Sequence, residues 1–164
     1  HQVFFSYLTK KYGEKLINNG IISITGGGSL DPFYSITNII KDDRSYYYNY
    51  RVESGLTGDD GYILFDFGNG KINLTSYTFR SEIGTSYPKT WEIIGSKNGV
   101  EWNVLNRQEN DEFLKNGTNQ HLYYCQKNNN YYKYIKIKQI ESWGKHNSAL
   151  CFGFVEFFGS ILDL

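Results

Sequence analysis

Two histidines and two cysteines are the residues most suited to metal binding or nucleophilic chemistry. His121 and Cys125 lie four residues apart in one strand-like run, and His146 and Cys151 follow later in the chain. On a strand, side chains at i and i+4 stand about 13 Å apart at ~3.3 Å per residue. This spacing argues against a shared zinc ion or a Cys–His nucleophilic pair from His121 and Cys125.

Sequence motifs of the common enzyme classes are missing. The chain contains no GxSxG elbow, no HExxH helix and no phosphate-binding loop. The run Gly26-Gly27-Gly28 is not a dinucleotide fingerprint, because no helical pattern follows it. The sequence therefore offers no recognisable catalytic motif.

Trp143 is a candidate for ligand binding, because it lies in a glycine- and polar-rich stretch, 141–148, that we expect to form a loop. An indole on a loop is a usual platform for the apolar face of a pyranose. His146 and Asn147, in the same stretch, could hydrogen-bond sugar hydroxyls. The alternative is that Trp143 closes the end of the fold and that His146 and Asn147 are ordinary turn residues.

The other two tryptophans, Trp91 and Trp102, flank Asn98-Gly99. Asn-Gly favours a two-residue type I′ hairpin, since both central residues need positive φ. The sequence therefore predicts two paired strands with both indoles buried on one face.

The tract Tyr46 to Tyr50 alternates at period two. It predicts an edge strand laid over the core, with ring stacking against a ligand as the alternative. It belongs to a long irregular region, 26–61, and loops of that length usually have a function or cover a sheet.

Length and charge exclude several classes of protein. The 164 residues fit one domain, and Lys plus Arg equals Asp plus Glu at 17 each, so no net field attracts duplex nucleic acid. The only basic cluster contains Lys133, Lys136 and Lys138. No apolar run approaches the ~20 residues of a transmembrane helix, and the start lacks a signal-peptide pattern, so we expect a mature start or one within a longer protein.

The composition indicates an all-β fold, with fifteen Tyr, seventeen Gly and two Pro. A helical spacing occurs only in 4–18, which predicts one short N-terminal helical segment. Alternating or continuous apolar runs predict two packed antiparallel sheets in a sandwich or jelly roll. The eight predicted strands are 21–25, 62–67, 72–80, 90–96, 101–107, 121–126, 134–140 and 150–159.

Cys125 and Cys151 fall inside two of these strands, and we expect free buried thiols rather than a disulfide. Two sequons, at Asn73 and Asn116, would matter only in a secretory pathway. These sequons do not determine the cellular compartment of the protein.

Five segments in order resemble the discoidin, or coagulation-factor type C, family. They are FDFGNG (65–70), YTFRS (77–81), WEIIGSKNGVEW (91–102), YYKYIKIKQ (131–139) and FVEFFG (154–159). The resemblance implies an eight-stranded, galactose-binding-like jelly roll over 21–164, with 1–20 packed on it. It also implies no catalysis, and binding of sugars, anionic phospholipid headgroups or proteins through loops at one end.

The opening segment, 7–25, further resembles the variant attached to BTB domains in protists. This resemblance implies that the chain is one module of a longer polypeptide. It would favour the cytoplasm, whereas a lectin would favour the cell surface.

The resemblance also assigns ligand-binding residues. Arg80 matches the arginine with which sugar-binding relatives contact adjacent hydroxyls, and its alternative is an ion pair with Glu82 or Glu92. Tyr87, in the adjoining loop, could stack on a sugar or shield the sheet. The predicted ligand-binding set is Arg80, Tyr87, Trp143, His146 and Asn147.

Sugar-binding relatives often hold a structural calcium, and Asp42, Asp43 and Glu156 occupy roughly its ligand positions. The chain lacks the Asp-Gly-Asn-x-x-Thr motif that is typical of this calcium site, so the same carboxylates could be ordinary loop residues.

Three functions follow in order of preference. The first is non-catalytic carbohydrate binding, and the second is a protein-interaction scaffold attached to a module such as BTB. The third, phospholipid-headgroup binding, is weaker because 26–61 offers Phe33, Tyr34 and Ile36 but few cations.

Overall fold

The computed structural model describes residues 2–26, 36–42, 61–81, 86–115, 119–144 and 153–164. Two antiparallel sheets face each other, as the alternating apolar pattern predicts. The four-stranded sheet runs β1 (Gln2–Val3), β9 (Phe154–Leu162), β4 (Lys71–Arg80) and β7 (Gln120–Tyr124). The five-stranded sheet runs β2 (Ser23–Gly26), β3 (Tyr62–Asp66), β8 (Tyr134–Gly144), β5 (Ser86–Ser96) and β6 (Asn103–Gln108).

The all-β jelly-roll sandwich with a short helical segment is confirmed, and each of the eight predicted strands is present with shifted ends. The described residues contain one further strand, β1, which pairs with β9 through Gln2 opposite Gly159. No helix among the described residues is long and apolar enough to cross a bilayer.

Aromatic side chains fill the space between the sheets. Tyr77 stacks on Tyr123 with ring centroids 5.3 Å apart, and Phe79 lies 5.4 Å from Trp91. All four rings are buried, and they project from three different strands. Because residues i and i+2 of a strand share a face, Tyr77 and Phe79 direct the opposite set, Thr78 and Arg80, away from this core.

The buried polar atoms of this core form a hydrogen-bonded chain. The Trp91 indole N–H donates to the Tyr77 hydroxyl at 2.8 Å, and that hydroxyl donates to Asn106 Oδ1 at 2.7 Å. The Asn106 amide in turn donates to the Tyr124 carbonyl at 2.9 Å. Burial raises the pKa of Tyr77 well above its ordinary value, so its hydroxyl stays protonated and keeps donating.

The N-terminal segment forms α1 (Phe4–Tyr12) and α2 (Lys15–Asn18), separated by Gly13 at φ 58°. Phe4, Phe5 and Leu8 are fully buried, and the Phe5 ring lies 5.1 Å from Phe157. A 3-10 helix, Ile36–Ile40, adds two further buried isoleucines.

A carboxylate from the last strand caps α1. Glu156 on β9 accepts the backbone N–H groups of Phe5 at 2.7 Å and Ser6 at 3.1 Å, and the Ser6 hydroxyl at 2.8 Å. It also accepts the N–H of Phe157 at 3.0 Å. The first N–H groups of a helix have no partner within the helix, so this buried carboxylate supplies the cap that Val3 does not.

The predicted two-residue turn at Asn98-Gly99 is wrong. β5 ends at Ser96 and β6 begins at Asn103, so residues 97–102 form a longer loop in which only Gly99 has positive φ, at 79°. The Asn98 side chain accepts the N–H groups of Val100 and Glu101, both at 2.9 Å. These side-chain acceptors stabilise a wider turn than the type I′ hairpin.

The two flanking tryptophans consequently have different environments. Trp91 is fully buried, as predicted, but the prediction that Trp102 is also in the core is wrong. Trp102 lies in the loop and is partly exposed, with the Lys136 ammonium 4.2 Å from its ring centroid. The strand pairing ends before this residue, so nothing directs its ring between the sheets.

Cys125 is a free cysteine, as predicted, but it is partly rather than fully buried. This partial burial raises the pKa of its thiol to about 12. Asn73, the first sequon residue, donates its amide to the carbonyls of Asn128 and Asn130 at 3.0 and 2.7 Å, so this nitrogen is engaged within the fold. Cys151, Asn116 and the Tyr46 to Tyr50 tract lie outside the described residues.

Gly159→Ala should destabilise the fold strongly. A Cβ at this position, where φ is 154°, would lie 1.9 Å from the Asn73 carbonyl oxygen, at a bulge between β4 and β9. We expect a loss of about 3 kcal/mol or more in the free energy of unfolding, measured by urea denaturation. Gly13→Ala is the matched control, because its φ is also positive but its Cβ would meet nothing within 4 Å. Equal losses in both variants would contradict the role of the bulge.

Glu156→Gln should change the pH dependence of stability. Burial raises the pKa of Glu156 above its ordinary 4.5, against the opposing effect of its N–H donors. A raised pKa means that the folded state holds the proton more tightly, so this contribution is complete below pH 4.5 and declines as pH rises through the folded pKa. The unfolding free energy of the wild type minus that of Glu156→Gln should therefore fall between pH 4.5 and 7. A difference that rises with pH would show that the N–H donors outweigh burial.

Candidate functional site

One end of the sandwich gathers the predicted ligand residues that the structure describes. β4 ends at Arg80 and pairs there with the start of β9 at Phe154, and β5 begins at Ser86 opposite Gly144 at the end of β8. The Asp111 N–H donates to the Lys89 carbonyl at 2.8 Å, and the Tyr123 hydroxyl of β7 donates to the Asp111 carboxylate at 2.8 Å. The segment around Asp111 therefore joins the two sheets at this end.

Tyr87 and Trp143 are direct cross-strand partners on β5 and β8. Directly opposed residues in an antiparallel pair place their side chains on the same face of the sheet, so both aromatic side chains project from one face. Both residues are partly exposed. The prediction of a loop position for Trp143 is wrong, because β8 extends through Gly144 by pairing with β5, and this pairing fixes the backbone of Trp143.

The polar edge of the Trp143 indole is fixed as well. Its N–H donates to the Asp111 carbonyl at 2.6 Å. This bond fixes the orientation of the indole. Because the N–H is already engaged, a ligand would contact Trp143 through the surface of its ring.

Two lysines lie against this ring. The ammonium groups of Lys115 and Lys89 are 3.9 and 4.5 Å from the Trp143 ring centroid, within the range of cation–π attraction. Lys115 also lies 3.5 Å from Glu112, and Lys89 forms an ion pair with Glu141. A sugar that stacks on Trp143 would compete with these lysines for the ring.

Asp111 is the residue that sequence reasoning missed. It is 6% exposed, and its other oxygen accepts the Leu114 N–H at 3.0 Å, which holds the segment leading to Lys115. Burial and the Asp111 carboxylate both raise the pKa of Tyr123. The sequence offers one signal for the bond from the Leu114 N–H to Asp111, which is an aspartate three residues before an apolar residue. That signal does not predict the contacts of Asp111 with β5, β7 and Trp143.

Arg80 lies on the other sheet and faces away from the aromatic core. Its side chain is 3% exposed, its Nη1 lies 2.5 Å from Asp42 Oδ1, and its Cζ is 5.0 Å from the Phe154 ring centroid. Of the two alternative partners, Glu92 instead pairs across strands with Arg107 at 3.3 Å, and Glu82 lies outside the described residues. In this position Arg80 presents almost no surface to a ligand.

The two described carboxylates assigned to calcium, Asp42 and Glu156, do not fit that ion as they are placed, and Asp43 lies outside the described residues. Both oxygens of Glu156 accept N–H or O–H donors from α1 and β9, and Asp42 accepts the Arg80 guanidinium. Calcium needs several oxygens directed at one point, and these oxygens are directed at donors. Among the residues that the structure describes, no group of three or more His, Cys, Asp or Glu side chains could hold a metal ion.

Three predicted site residues, Asp43, His146 and Asn147, lie outside the described residues. Of the remaining ones, the structure brings together Tyr87 and Trp143, and it separates Arg80 from them onto the second sheet.

The chain matches no protein-family model. It also matches no curated protein. Several solved structures share its architecture. The CpGH89CBM32-5 domain of Clostridium perfringens, solved in complex with GalNAc-β-1,3-galactose, has a TM-score of 0.63 and 13% identity over 85% of this chain and 96% of that one. CBM32-1 from a family 31 glycoside hydrolase of the same organism has a TM-score of 0.61 and 14% identity over 85% and 94%.

A fragment, 298–461, of a Bacteroides thetaiotaomicron protein described as a putative chitobiase has a TM-score of 0.63 and 12% identity, covering 87% of this chain and 91% of that one. The family 89 glycoside hydrolase of C. perfringens has a TM-score of 0.62 at 15% identity, but this chain spans only 14% of its length. These similarities give no support to a BTB attachment, a scaffold or phospholipid binding. At these identities they show only that the chain shares the jelly-roll sandwich fold of CBM32 domains.

Proposed function

We propose that the chain is a non-catalytic carbohydrate-binding module whose site is centred on Tyr87 and Trp143. The observation that supports it most is that these two partly exposed aromatic residues are paired across β5 and β8 at the end of the sandwich where β4 and β8 end and β5 and β9 begin. Aromatic rings on the same face of paired strands suit the apolar C–H face of a sugar. His146 and Asn147, which follow Trp143 in sequence, are proposed to supply hydrogen bonds.

We infer the class of ligand from domains that share the jelly-roll fold. Similar domains of known structure include CBM32 modules, one of them solved with GalNAc-β-1,3-galactose. We infer a neutral galactose-type sugar as the first ligand to test. The module would be part of a longer polypeptide, and one shallow site with few rings would bind weakly, so useful avidity would need several modules.

The fixed indole supports stacking over other modes of binding. With its N–H bonded to Asp111, Trp143 cannot reorient, so little conformational entropy is lost when a sugar packs on it. The cost is displacement of the two lysines that lie against the ring. The Lys115 side chain is 34% exposed and can move into water, whereas that of Lys89 is 17% exposed and paired with Glu141.

Trp143→Ala should weaken binding of GalNAc-β-1,3-galactose about tenfold or more, because it removes the stacking surface. The measurement is isothermal titration after a glycan array has identified a bound galactose-type sugar. Trp102→Ala is the matched control, since Trp102 is also a partly exposed tryptophan under a lysine but lies in the 97–102 loop. An unchanged affinity in Trp143→Ala, or an equal loss in Trp102→Ala, would refute the site.

Arg80→Ala separates a ligand role from a structural one. Only the Arg80 half of the ion pair with Asp42 is buried, and its side chain also packs on the Phe154 ring. We expect Arg80→Ala to lower the free energy of unfolding by about 3 kcal/mol, because a large buried side chain with its contacts is removed. Asp42→Asn should be milder, because asparagine keeps an Oδ1 acceptor for Arg80 Nη1. If Arg80→Ala keeps its stability but loses sugar binding, then Arg80 contacts the ligand and our placement of the site is too narrow.

A further inference from the structure

A cleft lies at the opposite end of the sandwich from Trp143. It has a volume of about 380 Å³ and is lined by Lys71, Lys97, Asn129, Asn130, Tyr131, Lys133 and Leu162. These residues come from the start of β4, the end of β5, the β7–β8 connection and the end of β9. The volume falls within the ~300–1,000 Å³ range of small-molecule sites.

The described residues that line this cleft carry charge of one sign. Three of them contribute an ammonium group and none contributes a side-chain carboxylate. Lys97 donates to Asn130 Oδ1 at 3.0 Å, and the Lys133 ammonium lies 5.1 Å from the Tyr134 ring centroid. The pKa of Lys133 is raised by its hydrogen bond to the Tyr134 side chain and, to a smaller extent, by the charge of Asp66. Within the described ranges, no side-chain carboxylate comes within ion-pair distance of these three lysines. On a chain with zero net charge, this is a local concentration of positive charge.

The walls of the cleft are held in place by hydrogen bonds. The Asn73 amide bonds the carbonyls of Asn128 and Asn130, and the Asn130 N–H donates to Asn128 Oδ1 at 3.0 Å. The next residues are fixed by the reciprocal backbone bonds of Tyr132 with Ile72. A loop preorganised in this way loses little entropy when a ligand binds.

We propose that this cleft binds an acidic saccharide, carrying a carboxylate or sulfate group. The lysines would neutralise the acidic group, the Asn129 side chain would hydrogen-bond hydroxyls, and Tyr131 and Leu162 would contact the apolar face of the ring. The mixed apolar and amide lining favours a sugar over a bare inorganic anion, and the zero net charge disfavours duplex nucleic acid. The proposal is independent of the Trp143 site.

The test measures binding of a galacturonic acid tetramer, a sulfated galactose tetramer, a neutral galactose tetramer and sodium sulfate to the whole chain at about 0.15 M ionic strength. The two acidic oligosaccharides distinguish carboxylate from sulfate as the recognised group. We expect at least one acidic oligosaccharide to bind more than tenfold tighter than both the neutral oligosaccharide and sodium sulfate.

Lys97→Gln/Lys133→Gln should lower this affinity at least tenfold, and Lys97→Arg/Lys133→Arg should largely restore it. The matched control, Lys10→Gln/Lys15→Gln, removes the same charge from exposed positions on α1 and α2 and should bind as the wild type does. Trp143→Ala should also leave acidic-saccharide binding unchanged, which separates this cleft from the first site. Equal loss in the Lys10/Lys15 control, loss in Trp143→Ala, or equal binding of sodium sulfate would overturn the proposal.

Discussion

The structure depends on burying polar aromatic side chains between two sheets without leaving their polar atoms unpartnered. Trp91 and Tyr77 contribute large apolar areas to the core, and each also brings an N–H or O–H that costs about 1–3 kcal/mol if it is buried without a partner. The chain meets this requirement by linking the indole, the phenol and the Asn106 amide in series. The series ends on the carbonyl of Tyr124, so the core also determines how β6 sits against β7.

The same requirement explains how the carboxylates are used. Asp111 and Glu156 are almost fully buried, and each accepts donors from segments far away in sequence. Asp111 joins β7 to the segment that orients Trp143, and Glu156 joins the first helix to the last strand. Carboxylates that satisfy N–H groups in this way act as structural links, so the end of the sandwich can be rigid without a metal ligand set among the described residues.

The strands and their buried faces could be predicted because they follow from local alternation, as Tyr77 and Phe79 show. Turn width could not, because at 97–102 it depends on which backbone N–H groups the Ser96 and Asn98 side chains accept. Side-chain contacts between residues distant in sequence could not be predicted either. Arg80 pairs with a residue 38 positions away, and a nearby acid such as Glu92 is the simpler guess from sequence. Of the candidate site, Tyr87 and Trp143 were identified by type, whereas their pairing, and the contacts of Asp111, Lys89 and Lys115, required the tertiary structure.

The pairing of β1 with β9 has a mechanical consequence. The two strands are antiparallel, so the backbone before Gln2 and the backbone after Gly159 leave the ladder on the same side. Tension applied between the two ends of the chain would therefore unzip this short ladder one bond at a time rather than shear it. Once β1 has peeled away, the load would reach the start of α1, where the resistance would come from the bonds of Phe5 and Ser6 to the last strand.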